Sequence, residues 1–168
     1  LRNASVADLL KLKPTQAVHE AILSRPNVPA VHLKNSLVAL ATLRKTAPTR
    51  LLLDLIEERD TANPAAGLNT IGSLLATQPQ NDLAAVAGRI EKLALAGKSD
   101  SVRRLAFAAL IVSDGTGDDA LLAASTSKTR LRDFLDAVPA IADTRLRSRL
   151  YNKVQPLNVE LPTTLKSE

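Results

Sequence analysis

The chain has 168 residues, which is one domain's worth of sequence and enough to bury a sizeable core. It contains no cysteine, and this excludes disulfides, thiolate nucleophiles, cysteine-ligated zinc and covalent haem attachment. Its net charge of +5 favours acidic partners only weakly. No apolar run approaches the ~20 residues of a membrane span, and no signal peptide is visible. The compartment stays open between cytoplasmic and periplasmic or exported bacterial.

The apolar residues indicate helices. Hydrophobic residues make up 45% of the chain but aromatic residues only 2%, namely Phe107, Phe134 and Tyr151. A core filled mostly by Leu and Ala suits closely packed helices and suits a β-sheet poorly. We therefore predict an all-α structure of about nine or ten helices. Because the chain begins at Leu and contains no Met, we expect it to be a piece of a longer protein.

Apolar residues spaced three and four apart predict four helices in the first part of the chain. They cover residues 3–12, the segment from Pro14 to the break at Pro26, residues 29–45, and a segment that opens at Pro48. The Pro48 helix has the clearest division into an apolar and a charged side. We place it in the outer layer with its charged arc in water. That arc consists of Arg50, Asp54, Glu57 and Glu58.

The central part of the sequence predicts three more helices. One runs from the cap at Asn63–Pro64 to Ala76, and one from Pro79 to a stop at Gly97. The third covers residues 99–115 and is apolar nearly all round except at Arg103 and Arg104. A helix with two apolar faces needs neighbours on both, so we expect the chain to be organised around it.

The last part of the chain predicts two short helices, at residues 119–125 and 129–138, with Pro139 ending the second. Asp143 caps a final helix that reaches Val154. From Gln155 the spaced prolines and leucines predict an extended tail that leans on the last helices. This gives a helical repeat domain over residues 1–154 and a tail over residues 155–168.

A repeat of two-helix units is visible when the sequences of four predicted helices, each the second helix of its unit, are aligned. Their apolar patterns start at Leu33, Leu68, Val102 and Leu146. The predicted unit is a helix, a turn marked by Pro or Asp, and a second helix. These units would stack as antiparallel pairs in a right-handed superhelix.

Two of these units resemble the HEAT-repeat class of α-solenoid. The matching segments are Asp100-Ser101-Val102-Arg103 with Ala106 and Ala109-Leu110, and Asp143 through Leu146-Arg147 with Leu150. The resemblance implies that an Asp near the turn and an Arg of the second helix pair along the stack of repeats. The stretch from Leu150-Tyr151 through Pro156-Leu157 to Leu161-Pro162 also looks like the end of solenoid segments in large exported bacterial proteins. Such proteins can carry dehydrogenase-like and haem-binding modules elsewhere.

Candidate catalytic and metal-binding residues are few. His19 and His32 are the only histidines and have no carboxylate or cysteine at ligand spacing. The acidic loop at Asp114, Asp118 and Asp119 lacks the Glu that would complete a calcium loop. No nucleophile–base–orienter set is visible. We therefore expect no enzyme, no cofactor and no metal.

The basic residues of the C-terminal half are interleaved with aspartates, so most are expected to be paired or solvated. A partner-binding surface is the alternative, formed by Arg104, Arg130, Arg132, Arg145 and Arg149. Three functions stay open at this point. The first is a non-enzymatic scaffold that binds a protein partner or neighbouring domains of the same chain. The second is a nucleic-acid-binding solenoid, and the small number of aromatic residues argues against it. The third is a structural spacer of an exported redox enzyme.

Overall fold

The computed structural model describes residue 1, residues 4–62 and residues 68–158. Within these ranges the protein is all-helical and contains no β-strand. The α-helices found there are α1 (Val6–Leu9), α2 (Gln16–Leu23), α3 (Ala30–Leu43), α4 (Pro48–Ala62), α5 (Leu68–Gly72), α6 (Gln80–Ala84), α7 (Ala87–Ala96), α8 (Asp100–Asp114), α9 (Asp118–Ala124), α10 (Lys128–Ala137) and α11 (Thr144–Val154). Three short 3-10 helices cover Leu75–Thr77, Val138–Ala140 and Gln155–Asn158. None of the helices described is both long and apolar enough to cross a membrane.

The chain divides into two compact units, Leu1–Leu74 and Leu75–Glu168, whereas the sequence predicts one repeat domain. The boundary falls inside the helix predicted to end at Ala76. That prediction is wrong in its length, because α5 ends at Gly72 and a turn leads into the 3-10 helix. Gly72 weakens a helix entropically. Leu74, Leu75 and Ala76 are all buried, and three consecutive buried positions do not fit one stripe of a helix. The predicted cap at Asn63–Pro64 lies outside the described residues.

In the first unit each helix packs on the next in chain order, from α1 on α2 to α4 on α5. The core is leucine-rich, and the apolar stripe of α3 that starts at Leu33, with Leu37, Leu40 and Ala41, is buried. The charged arc of α4 is only partly as predicted: Arg50, Asp54 and Glu58 are exposed and Glu57 is half-buried. Leu53 is also fully buried, so α4 is covered on more than half of its circumference.

The end of α3 fixes the direction in which the chain leaves that helix. Lys45 adopts a left-handed conformation with φ 52°. The N–H of Thr46 donates to the carbonyl of Ala41 at 3.0 Å, and the N–H of Lys45 donates to that of Thr42 at 3.2 Å. This is a Schellman motif, and it ends the helix at Leu43 rather than at Lys45.

The second unit is built around α8, which packs against α6, α7, α9, α10 and two of the 3-10 helices. The Ser99 hydroxyl caps its start by accepting from the N–H of Val102 at 3.3 Å. Gly115 ends it with φ 69°. Phe107 of α8 and Phe134 of α10, both fully buried, meet edge to face with ring centres 6.1 Å apart. The prediction that this helix has neighbours on both faces is confirmed.

Two other predictions for this unit are corrected by the structure. The helix predicted from Pro79 to Gly97 is split into α6 and α7, because Val86 has a non-helical backbone with φ −127° and ψ 16°. The extended tail does not begin at Gln155, since Gln155–Asn158 forms a 3-10 helix directly after α11. Pro156 fits there because its fixed φ suits the first turn of a helix. Residues 159–168 lie outside the described residues.

Candidate functional site

Three of the five arginines predicted to bind a partner point to aspartates of their own unit. The guanidinium of Arg104 lies 3.8 Å from Asp133 and 3.3 Å from Asp136. Arg130 lies 3.4 Å from Asp133, and Arg132 lies 4.0 Å from Asp136. Arg104 therefore links α8 to α10, whereas Arg130 and Arg132 lie near aspartates of their own helix.

Arg103 forms the buried centre of the same network. Its Nε donates to Asp133 at 2.6 Å, and its Nη2 pairs with Asp100. Its Nη1 donates to the carbonyls of Gly97 at 3.1 Å and Lys98 at 3.3 Å. Burial lowers the pKa of Arg103, but the hydrogen bonds to Asp133 and Asp100 outweigh it and the net shift is upward. Arg103 therefore ties the turn before α8 to α10.

The other two predicted arginines, Arg145 and Arg149, are exposed on α11. They lie near Asp143, which caps this helix by accepting from the N–H groups of Arg145 at 2.8 Å and Leu146 at 3.2 Å. These bonds, with the charges of both arginines, hold the pKa of Asp143 below its usual value. The five residues thus fall into two groups: Arg104, Arg130 and Arg132 lie near aspartates of α10, and Arg145 and Arg149 are exposed on α11. Their binding role stays a prediction.

The acidic loop after α8 is held together by its own groups. The carboxylate of Asp114 accepts from the N–H groups of Thr116 at 2.7 Å, Gly117, and Asp119 at 3.1 Å. Lys153 of α11 donates to Asp118 at 2.6 Å and to the carbonyl of Thr116 at 3.1 Å. The part of the chain that the structure describes contains no group of three or more His, Cys, Asp or Glu residues placed to hold a metal ion.

The two histidines, which are 13 positions apart in sequence, line the same cavity of about 260 Å³ in the first unit. We call this cavity the α1–α3 groove. Its walls come from α1, the connection that follows α1, α2 and α3. The lining residues are Leu9, Leu10, Leu12, Pro14, Val18, His19, Ile22, His32, Asn35, Ser36 and Ala39. The lining is mainly apolar with a few polar groups, as is typical of binding sites.

Large apolar side chains lie exposed along this groove. Leu10 and Leu12 are 44% and 45% exposed, whereas the neighbouring Leu9 is fully buried. On α3, Leu43 is 55% exposed and lies one turn beyond Ala39 on the same helix face. Val31 and Val38 of α3 are also exposed but do not line the groove. Single exposed apolar residues are ordinary, but a cluster around a concavity marks a binding surface.

One polar atom beneath the groove is unsatisfied. Nδ1 of His19 is buried and forms no hydrogen bond in the described part of the chain. A buried polar atom without a partner costs about 1–3 kcal/mol. Well-packed cores rarely contain such atoms, whereas binding sites often do.

A larger cavity of about 520 Å³ lies between α2 and α4 in the same unit. It is polar, and its side chains hold the ends of helices. Glu20 accepts from Gln16 at 2.8 Å and from Arg44 at 2.6 Å, and these bonds lower its pKa. Arg25 donates to the carbonyls of Leu1 and Ala4, and Arg59 donates to that of Leu23. Burial lowers the pKa of Arg59.

The second unit has two open grooves of about 460 Å³ each. One lies between α10 and α11, beside the exposed Tyr151, and the other between α7 and α9, beside the exposed Leu122. Each combines one strongly exposed apolar side chain with a shallow surface. The α1–α3 groove is lined by the exposed Leu10 and Leu12 and by His19, whose buried Nδ1 is unsatisfied in the described part of the chain.

No protein-family model, curated protein or solved structure matches the chain. The choice of a site therefore rests on geometry. Sequence reasoning placed the binding surface in the C-terminal half and missed the α1–α3 groove. A signal for it existed in Leu10-Lys11-Leu12-Lys13 before Pro14, where leucines alternate with lysines outside any helical stripe.

Proposed function

We propose that the chain is a non-enzymatic protein-interaction module of the HEAT-like α-solenoid class, and that the α1–α3 groove receives an amphipathic helix of a protein partner. The exposed leucines Leu10 and Leu12 at the mouth of an apolar concavity carry this proposal. The repeated apolar pattern from Leu33 to Leu146 and the chain-order packing of α1 to α5 support the solenoid class.

The dimensions of the groove suit a helix as its occupant. Along α3 the residues that line the groove run from His32 through Ser36 to Ala39. This distance is roughly 10 Å, which is two turns of helix. A helix with leucines three and four residues apart presents an apolar stripe of the same length. Docking it would cover Leu10 and Leu12, and each large apolar side chain removed from water contributes up to about 1.5–3 kcal/mol.

The proposal is tested by titrating the full chain into a fluorescent amphipathic peptide of about 18 residues, with leucines spaced three and four apart. We expect saturable binding that Leu12→Asp weakens by about tenfold or more, because a carboxylate then faces the apolar stripe. The matched control is Leu122→Asp on α9, at a residue that is 75% exposed, and it should leave binding unchanged.

Two results would contradict the proposal. One is an absence of binding to the peptide, and the other is an equal loss of binding in the two variants. The molar mass of the free chain is measured by light scattering in the same samples. A stable dimer that Leu12→Asp dissociates would show that a second copy covers the groove instead of a partner.

A further inference from the structure

Lysines alternate with the exposed leucines at the mouth of the α1–α3 groove, and we call Lys11 and Lys13 its basic rim. Both lie in the connection after α1, next in sequence to groove-lining residues. Both are exposed, and neither makes an ion pair within residues 4–62 or 68–158. This contrasts with α8 and α10, where Arg103, Arg104, Arg130 and Arg132 all lie within ion-pair distance of aspartates.

The distribution of acidic residues explains why these lysines lack partners. Neither residues 9–19 nor α3 contains an Asp or a Glu. The nearest acid before this stretch is Asp8, whose carboxylate accepts from the Ser5 hydroxyl at 2.6 Å. The nearest acid after it in α2 is Glu20, which is held by Arg44. The groove is therefore an apolar surface with a basic rim.

We infer that the partner helix is acidic, with Glu or Asp flanking its apolar stripe. This inference rests on the proposed function of the α1–α3 groove and adds the charge of the partner. Apolar contact with the groove supplies affinity, and Lys11 and Lys13 select the sign of the charge beside it. Rim charges of this kind act mainly on association rate and specificity, and salt screens them.

The concave shape of the site favours a peptide over an anionic lipid surface. Alternating leucine and lysine is also typical of segments that lie on membranes. However, Leu10 and Leu12 line a cavity together with His32 and Asn35 of α3. A bilayer cannot enter such a concavity, whereas the side chains of a helix can.

The test uses two peptides that share the leucine stripe and differ only in carrying Glu or Lys beside it. At about 50 mM salt we expect the full chain to bind the acidic peptide about tenfold tighter than the basic one. At about 300 mM salt the difference should fall to about twofold. The double variant Lys11→Glu/Lys13→Glu should lose or reverse the preference. Lys92→Glu/Lys128→Glu makes the same charge change at exposed lysines of α7 and α10, and it should keep the preference.

The possible outcomes separate this inference from the function on which it rests. Equal, salt-insensitive binding of both peptides would leave the apolar docking intact and overturn the acidic preference. Binding of neither peptide would overturn both. Phosphatidylserine–phosphatidylcholine vesicles are titrated in parallel. Vesicle binding that Lys11→Glu/Lys13→Glu abolishes, together with weak binding of both peptides, would overturn the inference in favour of a membrane surface.

Discussion

Arg103 and Asp133 form an ion pair that is almost closed to water. Nε and Oδ2 are 2.6 Å apart, and the two side chains are 9% and 4% exposed. The pair joins α8 to α10 across 30 positions of sequence. The remaining donors of Arg103 are used by Asp100 and by two backbone carbonyls. Such a pair specifies one arrangement of the two helices, because removing either member leaves a buried charge behind.

The first prediction follows from this arrangement. Asp133→Ala should lower the free energy of unfolding by about 3–5 kcal/mol, because Arg103 then keeps a buried charge without its main counter-ion. Asp136→Ala, on the same helix and 41% exposed, removes only surface contacts with Arg104 and Arg132, and should cost about 1 kcal/mol or less. Urea denaturation of both variants measures the difference. Equal losses would show that the buried pair does not hold α8 on α10.

The local features of α8 could be predicted from sequence because they depend on nearby residues. The hydroxyl of Ser99, the left-handed Gly115 and the two-sided apolar pattern are all encoded within residues 99–115. The resemblance to HEAT repeats implied Asp–Arg pairs along the stack, which stays a prediction, because Asp100 and Arg103 pair within α8 itself and Arg147 donates to the carbonyl of Ile141. Asp133 as the main partner of Arg103 could not be predicted, because nothing local links residues 30 positions apart.

The α1–α3 groove could not be predicted for a related reason. Helical periodicity predicts a helix over residues 3–12, but α1 ends at Leu9 and residues 10–15 are not helical. The position of Leu12 depends on the path of that connection, which no periodic pattern describes. The break after Gly72 was missed because the apolar pattern from Leu68 to Ala76 fits a continuous helix, and burial on consecutive positions only becomes visible in three dimensions.

The second prediction compares two glycines. Gly117 has φ 76°, and a Cβ there would overlap Cδ2 of Leu150, a fully buried side chain. Gly117→Ala should therefore cost about 2 kcal/mol, from the left-handed backbone and the displaced leucine together. Gly88 lies in α7, and a methyl group added there would meet no atom within 4 Å. Gly88→Ala should raise stability by about 0.5–1 kcal/mol. Opposite shifts in melting temperature are expected, and a loss in both variants would contradict the prediction.

The last prediction concerns acid stability at the start of α11. Hydrogen bonds from the N–H groups of Leu146 and Arg145, with the charges of Arg149 and Arg145, lower the pKa of Asp143 in the folded state. The unfolded chain therefore binds this proton at a higher pH than the folded one. The stabilisation is complete above about pH 4, near the ordinary pKa of Asp, and is lost as the pH falls through the folded pKa.

Asp143→Asn tests this because Asn also caps helices well but carries no charge. Its melting temperature should lie below that of the wild type by a constant amount from neutral pH down to about pH 4, and the gap should close at lower pH. Asp143→Ala, which removes the cap itself, should stay less stable than the wild type across the whole range. A gap between wild type and Asp143→Asn that widens on acidification would mean that burial or a like charge, and not the cap, controls the pKa of Asp143.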